Sequence, residues 1–203
     1  MATSLDRLCT TIRACKICVE KPEGRPLPHA PRPVLQVSRE APVLVVGQAP
    51  GTRVHASGRP FTDPSGDRLR GWLGVDADTF YDCRRFAVVP MGFCFPGQDE
   101  HGGDLPPRKE CARAWRSRIM AELGSVRLIV CLGLHAQRWH MGSAARPTLN
   151  DTVADWRQGL KLAPAVMPLP HPSWRNNAWL KANPWFVTDL LPVLRERVRR
   201  LIG

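Results

Sequence analysis

The sequence contains no long hydrophobic run. Its longest apolar stretch, residues 126–134, is interrupted by Arg127 and is far shorter than the roughly 20 residues that a membrane-spanning helix requires. The amino-terminal residues also lack an apolar segment behind a basic end, which a secretory signal would have. These absences argue against a membrane protein, and we expect a cytoplasmic protein with no membrane partner.

Acidic residues are scarce in this chain of 203 residues. There are 18 Asp and Glu against 29 Lys and Arg, which gives a formal net charge of +11. A surplus of this size repels itself on a compact surface, so we expect a polyanionic partner such as a nucleic acid. The sequence has no Gly-x-Gly-x-x-Gly or Walker motif, so a nucleotide-binding domain is a less favoured class.

Four short apolar segments alternate with helical patterns. They are predicted to form parallel strands over residues 42–47, 86–90, 126–132 and 165–169. Prolines place the last strand at an edge of the sheet. The pattern predicts one three-layer α/β/α domain over residues 1–203, with a central, mainly parallel sheet of four strands. Residues 1–40 are predicted to add a helix and a proline-rich segment.

The helix signals are mainly caps and prolines. Helices are predicted over residues 5–14, from an N-cap at Ser65, from Pro107 to about Leu123, from about His135, and from Pro184 to the end, with Pro192 bending or dividing the last one. Sites in parallel sheets form at the carboxyl ends of the strands. We therefore expect the functional residues in the loops 48–64, 91–107 and 170–177.

Three motifs in these loops resemble those of the uracil-DNA glycosylase superfamily. They are Gly47-Gln48-Ala49-Pro50-Gly51, Gly58-Arg59-Pro60-Phe61 and His171-Pro172-Ser173. The resemblance extends from Cys15 to about Trp185. It implies the α/β/α fold of that superfamily and a monomeric, monofunctional DNA glycosylase. Such an enzyme flips uracil out of DNA and hydrolyses the N-glycosidic bond, which leaves an abasic site for base excision repair.

The cysteines narrow the resemblance. Seven is an odd number, and the spacing of Cys15 and Cys18 favours metal or redox chemistry over a structural disulfide in a reducing compartment. The bacterial and archaeal iron-sulfur families four and five have a similar pair and two later cysteines. The resemblance therefore assigns Cys15, Cys18, Cys94 and Cys111 to a [4Fe–4S] cluster; a structural zinc, or no metal, remains the alternative.

The first motif departs from family four at its second residue. That family has a catalytic glutamate there, whereas this chain has Gln48, which cannot act as a base at neutral pH. In family five an aspartate shortly after the Gly-Arg-Pro-Phe segment takes this role, and Asp63 lies close to the matching position. We expect Asp63 to be catalytic, although an Asp-Pro pair also suits a simple turn. Asp67 is expected on the following helix.

The resemblance implies a role for each remaining motif residue. Asp63 would stabilise the positive charge that develops on the sugar and orient water, while His171 would stabilise the departing uracil anion. Phe61 would stack on the flipped base. The residues expected to contact substrate and DNA are Gly47, Gln48, Ala49, Pro50, Gly51, Phe61, Ser173, Trp174, Arg175 and Asn176. Backbone groups, Gln48 or Asn176 would read the uracil edge.

The second motif, residues 171–176, is closer to that of the single-strand-selective and mismatch-specific glycosylases. The sequence is also compatible with two alternatives to an active glycosylase. One is a lesion-binding member of the superfamily that traps its product, for which His101 lies in a suitable loop. The other is a zinc-containing nucleotide-binding domain without a DNA role.

Overall fold

A four-stranded parallel sheet forms the centre of the computed structural model, which describes residues 2–203. Its strands are β1 (Val43–Val46), β2 (Phe86–Val88), β3 (Leu128–Leu132) and β4 (Ala165–Leu169). Their order across the sheet is β2-β1-β3-β4, and every pairing is parallel. The four predicted strands are confirmed, and β4 lies at an edge as its prolines indicate.

Twelve α-helices are present among the described residues. They are α1 (Ser4–Arg13), α2 (Ile17–Glu20), α3 (Thr52–Ser57), α4 (Pro64–Leu73), α5 (Ala77–Tyr81), α6 (Lys109–Cys111), α7 (Ser117–Glu122), α8 (Leu134–Met141), α9 (Leu149–Ala154), α10 (Trp156–Gly159), α11 (Asn177–Ala182) and α12 (Leu191–Ile202). Within residues 2–203 no helix is both long and apolar enough to cross a membrane.

Several helical segments differ from the sequence-based expectation. The helix predicted from Pro107 is α6 and α7 joined by a π-helical segment, Ala112–Arg116. A second π segment, Phe186–Leu190, runs directly into α12, so the helix continues past Pro192 without being divided, and its hydrogen-bonding pattern changes just before that proline. The short helix α3 lies in a stretch that the sequence predicts as loop.

The helices form a layer on each face of the sheet, because successive strand residues point to opposite sides. On one face Leu44, Val46 and Ile129 pack with apolar residues of α1, α7 and α8. On the other face Val43, Val45 and their neighbours pack with residues of α4, α5 and α12. The predicted three-layer α/β/α fold is therefore confirmed.

The segment between α2 and β1 lies along the outer edge of β2. Gln36 exchanges backbone hydrogen bonds of 2.9 and 2.7 Å with Val88, and the Val34 N–H donates to the Phe93 carbonyl at 2.8 Å. This short antiparallel pairing covers an edge strand that would otherwise expose unpaired backbone groups. It also ties the amino-terminal segment to the loop that follows β2.

A buried arginine holds the carboxyl end of β2. Arg116 is fully buried, and its guanidinium donates to the carbonyls of Val89 and Pro90 at 2.8 and 3.0 Å. It also donates to His140 Nε2 at 2.6 Å, so that imidazole must be neutral. Burial and the Arg116 charge lower the pKa of His140 to about 3. Burial also lowers the pKa of Arg116 itself to about 10.

The His140 pKa makes folding stability sensitive to acid. An unfolded chain binds a proton on this histidine near its ordinary pKa of 6.5, before the folded protein does. Stability is therefore complete above pH 6.5 and falls as the pH decreases toward 3, by up to about 1.4 kcal/mol per pH unit. We expect His140→Gln, which keeps an acceptor for Arg116, to flatten the decline in unfolding free energy between pH 7 and pH 5. Urea titrations of both proteins at each pH measure the free energy of unfolding.

His101→Gln is the matched control, because the His101 side chain is 85% exposed. This variant should show the same pH dependence of the unfolding free energy as the wild-type protein. Parallel pH dependence in wild type and His140→Gln would contradict the assignment of acid sensitivity to this histidine.

Candidate active site

Two loops are joined side by side at the carboxyl edge of the sheet. Beyond the ends of β1 and β2, the Met91 N–H donates to the Gly47 carbonyl and the Gly92 N–H to the Gln48 carbonyl, both at 2.9 Å. The parallel pairing therefore continues into both loops. This fixes the first sequence motif against the start of the loop 91–107, at the edge where a parallel sheet forms its sites.

Phe61 adopts a backbone conformation that is rare outside glycine, with φ of 54°. Its carbonyl accepts hydrogen bonds from Tyr81 Oη at 3.0 Å and from Arg70 at 3.3 Å. Its ring packs edge-on against Phe80, with centroids 6.1 Å apart, and approaches Gly47 at the end of β1. These contacts hold the strained residue so that its ring faces the strand end.

Asp63 is the N-cap of α4, so the expectation that Ser65 caps this helix is wrong. Pro64 occupies the first helical turn, and the residue before it is therefore the cap. One oxygen, Asp63 Oδ1, accepts from Ser65 Oγ at 2.7 Å and from the Gly66 N–H at 3.3 Å. Among residues 2–203 no hydrogen bond reaches the other oxygen, Oδ2. The turn role and an available carboxylate oxygen thus coexist.

His171 follows β4 and is half-buried. Burial lowers its pKa, and the charges of Asp63 and Asp104 only partly oppose that shift. The imidazole is therefore neutral at neutral pH. The surrounding turn is fixed by its own hydrogen bonds: Asn176 Nδ2 donates to the His171 carbonyl at 2.7 Å, and Arg68 donates to the Ser173 carbonyl at 2.9 Å.

These residues line a cavity that opens into a longer groove. Of the predicted residues, the cavity wall contains Gly47, Ala49, Pro50, Gly51, Phe61, Asp63 and His171. The adjoining groove contains Gln48, Ser173, Trp174 and Arg175. Asn176 lines neither, because its amide supports the His171 turn. His101 lines neither as well, and its side chain points into solvent.

The groove combines positive charge with an exposed aromatic ring. It includes Arg53, Arg68 and Arg175, and the side chain of Trp174 is 70% exposed. The Arg175 guanidinium lies 5.3 Å from the centroid of that indole and donates to the Gly102 carbonyl at 3.2 Å. Cations and an exposed ring along a groove are the features by which proteins bind phosphates and unstacked bases.

Sequence reasoning missed two charged residues of this site, Arg68 and Asp104. Arg68 is on α4 and supports the last loop. Asp104 comes from the loop 91–107 and lines both the cavity and the groove. The signal in the sequence is an acidic residue after Gly102-Gly103, inside the loop 91–107 that is predicted to carry functional residues.

The sequence matches the model of the Uracil DNA glycosylase superfamily over residues 35–195. The match includes all four strands and every cavity residue named above. The chain belongs to the uracil DNA glycosylase superfamily. Membership indicates a hydrolase of glycosidic bonds that acts on DNA, in agreement with a cavity opening on a basic groove.

In this superfamily member, Cys15 and Cys18 precede the matched region. They nevertheless share one apolar cluster with Cys94 and Cys111. The neighbouring Cys111 thiol lowers the pKa of Cys18 to about 7, and Trp115 Nε1 donates to Cys15 Sγ at 3.4 Å. Burial raises the pKa of Cys94 to about 12. Within residues 2–203 no three Cys, His, Asp or Glu side chains are arranged closely enough to hold a metal ion.

The position of Phe61 depends on a glycine in the first turn of α4. A Cβ added at Gly66 would lie 1.9 Å from the Phe61 carbonyl oxygen, which is firmly held by Tyr81 and Arg70. We expect Gly66→Ala to destabilise the protein by about 1–3 kcal/mol, the usual cost of overpacking. It should also displace the Phe61 ring. Chemical denaturation measures the first effect.

Gly71→Ala is the control, because it makes the same substitution in the same helix where no atom lies within 4 Å of the new Cβ. It should stabilise the protein by about 0.5–1 kcal/mol through reduced backbone entropy. Equal effects of the two substitutions would contradict the close approach at Gly66.

Proposed function

We propose that this protein is a monofunctional uracil-DNA glycosylase. The observation that carries the proposal is the cavity in which Phe61, Asp63 and His171 meet, opening on a basic groove. An aromatic ring can stack on a flipped base, a carboxylate can stabilise positive charge on the sugar, and a neutral histidine can stabilise the departing base anion. The exposed position of His101 gives no support to a product-trapping function, and superfamily membership disfavours a nucleotide-binding domain.

The chemistry follows from where charge develops. As the bond between deoxyribose and uracil breaks, the sugar becomes positive and the base becomes negative. Asp63 is an anion on the same wall as Phe61, so it would face the sugar of a base stacked on that ring. His171, held neutral by burial, would donate a hydrogen bond to the uracil oxygen that accumulates negative charge. Both effects strengthen in a cavity from which bound DNA excludes water.

Recognition of the uracil edge falls to the backbone of the first motif. The Gln48 amide nitrogen donates to the Leu105 carbonyl at 3.0 Å, and the Asn176 amide nitrogen is bonded to the His171 carbonyl. Neither side chain lines the cavity, whereas residues 47 and 49–51 do. Backbone N–H and carbonyl groups there would pair with the polar edge of the base.

The groove would hold the DNA strand around the flipped nucleotide. The backbone at Pro50-Gly51 and Ser173 would contact flanking phosphates, with Arg53 and Arg68 supplying charge. Trp174 is exposed at the edge of the groove and would enter the gap left by the extruded base. The Arg175 guanidinium packs against the Trp174 ring and would support it there. Insertion of an apolar side chain into an opened step is a common way of stabilising such distorted DNA.

The test is incubation of purified protein with uracil-containing oligonucleotides, both single-stranded and paired opposite guanine or adenine. We expect abasic product, revealed by alkaline cleavage, without added metal or nucleotide cofactor. No covalent protein–DNA adduct should form. Intact, folded protein that gives no abasic product on any of these substrates would refute the proposed function.

Asp63→Asn distinguishes this activity from a contaminating glycosylase. The substitution keeps the size of the side chain and its ability to cap α4, so it removes charge and spares the fold. We expect the single-turnover rate to fall by about 10²–10³, the usual effect of losing one electrostatic group at a transition state. DNA affinity should change little, because the sugar charge exists only during reaction.

We propose that Cys15, Cys18, Cys94 and Cys111 hold a [4Fe–4S] cluster, with structural zinc as the alternative. Four thiolates are the donor set of either group. In residues 2–203 the four cysteines share one apolar cluster but are not arranged closely enough to ligate a metal ion, so binding would have to draw them together. Arg108, which donates to the buried Glu110 at 2.6 Å, also lowers the pKa of Cys18 after the larger effect of Cys111. A nearby cation favours thiolate ligands. When bound, the group would link the amino-terminal segment to the loop after β2.

Purified protein should be brown, with broad absorption near about 400 nm and stoichiometric iron and sulfide. Cys18→Ser should abolish the colour and lower the melting temperature markedly. The excision rate of the protein that remains folded should change much less. Cys83→Ser, at an exposed cysteine outside the group, should change neither. Colourless protein with one zinc would establish the alternative, and folded protein without metal would refute both.

A further inference from the structure

A second carboxylate reaches the cavity on a tightly ordered loop. Residues 97–105 form a small hairpin in which the Leu105 N–H donates to the Gly97 carbonyl at 3.0 Å and the Asp99 N–H to the Gly103 carbonyl at 2.8 Å. Asp104 pairs with Gln98 across this hairpin. The carboxylate is therefore carried by hydrogen-bonded backbone, which gives it a defined place in the site.

Gln48 fixes this hairpin against the first motif. Its side-chain amide donates to the carbonyl of Leu105, the residue next to Asp104. Gln48 occupies the position at which the resembled family four has its catalytic glutamate. A glutamine cannot serve as a base, but here it holds in place a loop that brings an acid to the same cavity. The side chain at position 48 is thus physically connected to the loop that carries Asp104.

The two oxygens of Asp104 have different environments. Oδ1 accepts from Gln98 Nε2 at 3.2 Å. Oδ2 points at Gly51, where an added Cβ would lie 3.4 Å away, and residues 2–203 supply it with no hydrogen-bond donor. Asp104 lines the cavity as well as the groove and is exposed at their junction. Its charge, like that of Asp63, acts on His171.

We propose that Asp104 is the general base that activates the attacking water, and that Asp63 stabilises the sugar cation without taking the proton. The inference rests on the proposed glycosylase function. Water oxygen forms a bond to C1′ of the deoxyribose as the bond from C1′ to uracil N1 breaks. The bonding electron pair leaves with uracil, where His171 stabilises it, and the water proton passes to Asp104. That proton later returns to the uracil anion, so atoms and charge balance.

The division of roles follows from the hydrogen bonds to each acid. Asp63 receives two donors on one oxygen, Oδ1, and is committed to capping the ten-residue helix α4. Such a carboxylate suits electrostatic stabilisation. Asp104 receives one amide donor and is exposed in the open groove, whereas Asp63 is half-buried. A base needs a free oxygen that water can reach, and exposure favours Asp104 over Asp63 for that role.

Asp104→Asn tests the inference by single-turnover excision of uracil at pH 7 to 9. We expect the rate at pH 7 to fall at least about 10²-fold, the usual contribution of a general base. The residual rate should rise with pH, because hydroxide then replaces the activated water. Affinity for uracil-containing DNA should be unchanged or higher, since one negative charge leaves the groove. Asp63→Asn should not acquire this pH dependence.

Glu100→Gln is the matched control, because it removes the same charge from the same hairpin at a side chain that is 85% exposed and outside the cavity. It should excise at the wild-type rate. Asp104→Glu, which keeps the carboxylate, should be at least tenfold faster than Asp104→Asn at pH 7.

Three results would overturn the inference while leaving the proposed function intact. They are an Asp104→Asn rate within threefold of wild type, equal rates for the Asn and Glu variants, and a pH-independent residual rate. A wild-type protein that excises no uracil would instead refute the proposed function, and the role of Asp104 with it. Melting temperatures of all variants establish that each is folded when assayed.

Discussion

The whole site depends on the continuation of parallel pairing past the ends of β1 and β2. Because the N–H groups of Met91 and Gly92 bond to the carbonyls of Gly47 and Gln48, the two loops leave the sheet in register. Every cavity residue from these loops is positioned by that start. On one side the chain turns through Phe61 to the cap of α4, and on the other it folds into the hairpin that carries Asp104.

The same loop connects the cavity to the cysteine-rich side of the molecule. Between Pro90 and Cys94 the chain passes from the pocket wall into the apolar cluster that contains the four proposed ligands. Arg116 holds the Pro90 carbonyl from that side, and Val34 pairs with Phe93. The cysteine-rich cluster and the cavity wall therefore share one loop and the backbone hydrogen bonds that hold it. An effect of cluster loss on excision would travel along this route and would involve no direct contact with substrate.

The sheet could be predicted from the sequence because the signals for its strands are local. Each strand is a short apolar run, and strand order and handedness restrict how such runs can assemble. The rule that sites form at strand ends indicated the loops that carry the cavity, and the family resemblance indicated the first-motif residues and His171 within those loops. The cap at Asp63 was missed because Ser65 is an equally good capping residue, and only the position of Pro64 decides between them.

Asp104 and the edge pairing of Gln36 were missed for a different reason. Both depend on contacts between residues far apart in sequence, Leu105 with Gln48 and Gln36 with Val88. No periodicity or spacing encodes such contacts. The helix α3 was missed because its six residues carry one buried apolar side chain, Val54, and so leave no amphipathic pattern.

The distribution of charge resolves an apparent conflict between the surface and the site. A chain with a net charge of +11 places two carboxylates, Asp63 and Asp104, at the one cavity where a phosphodiester strand would have to approach. Like charges weaken ground-state binding, and the arginines of the groove offset that cost. In the proposed reaction the carboxylates would become favourable only when the sugar turns positive, so their attraction would be specific to the transition state. A neutral His171 completes this arrangement, because a cation at that position would pair with the two acids before any substrate charge developed.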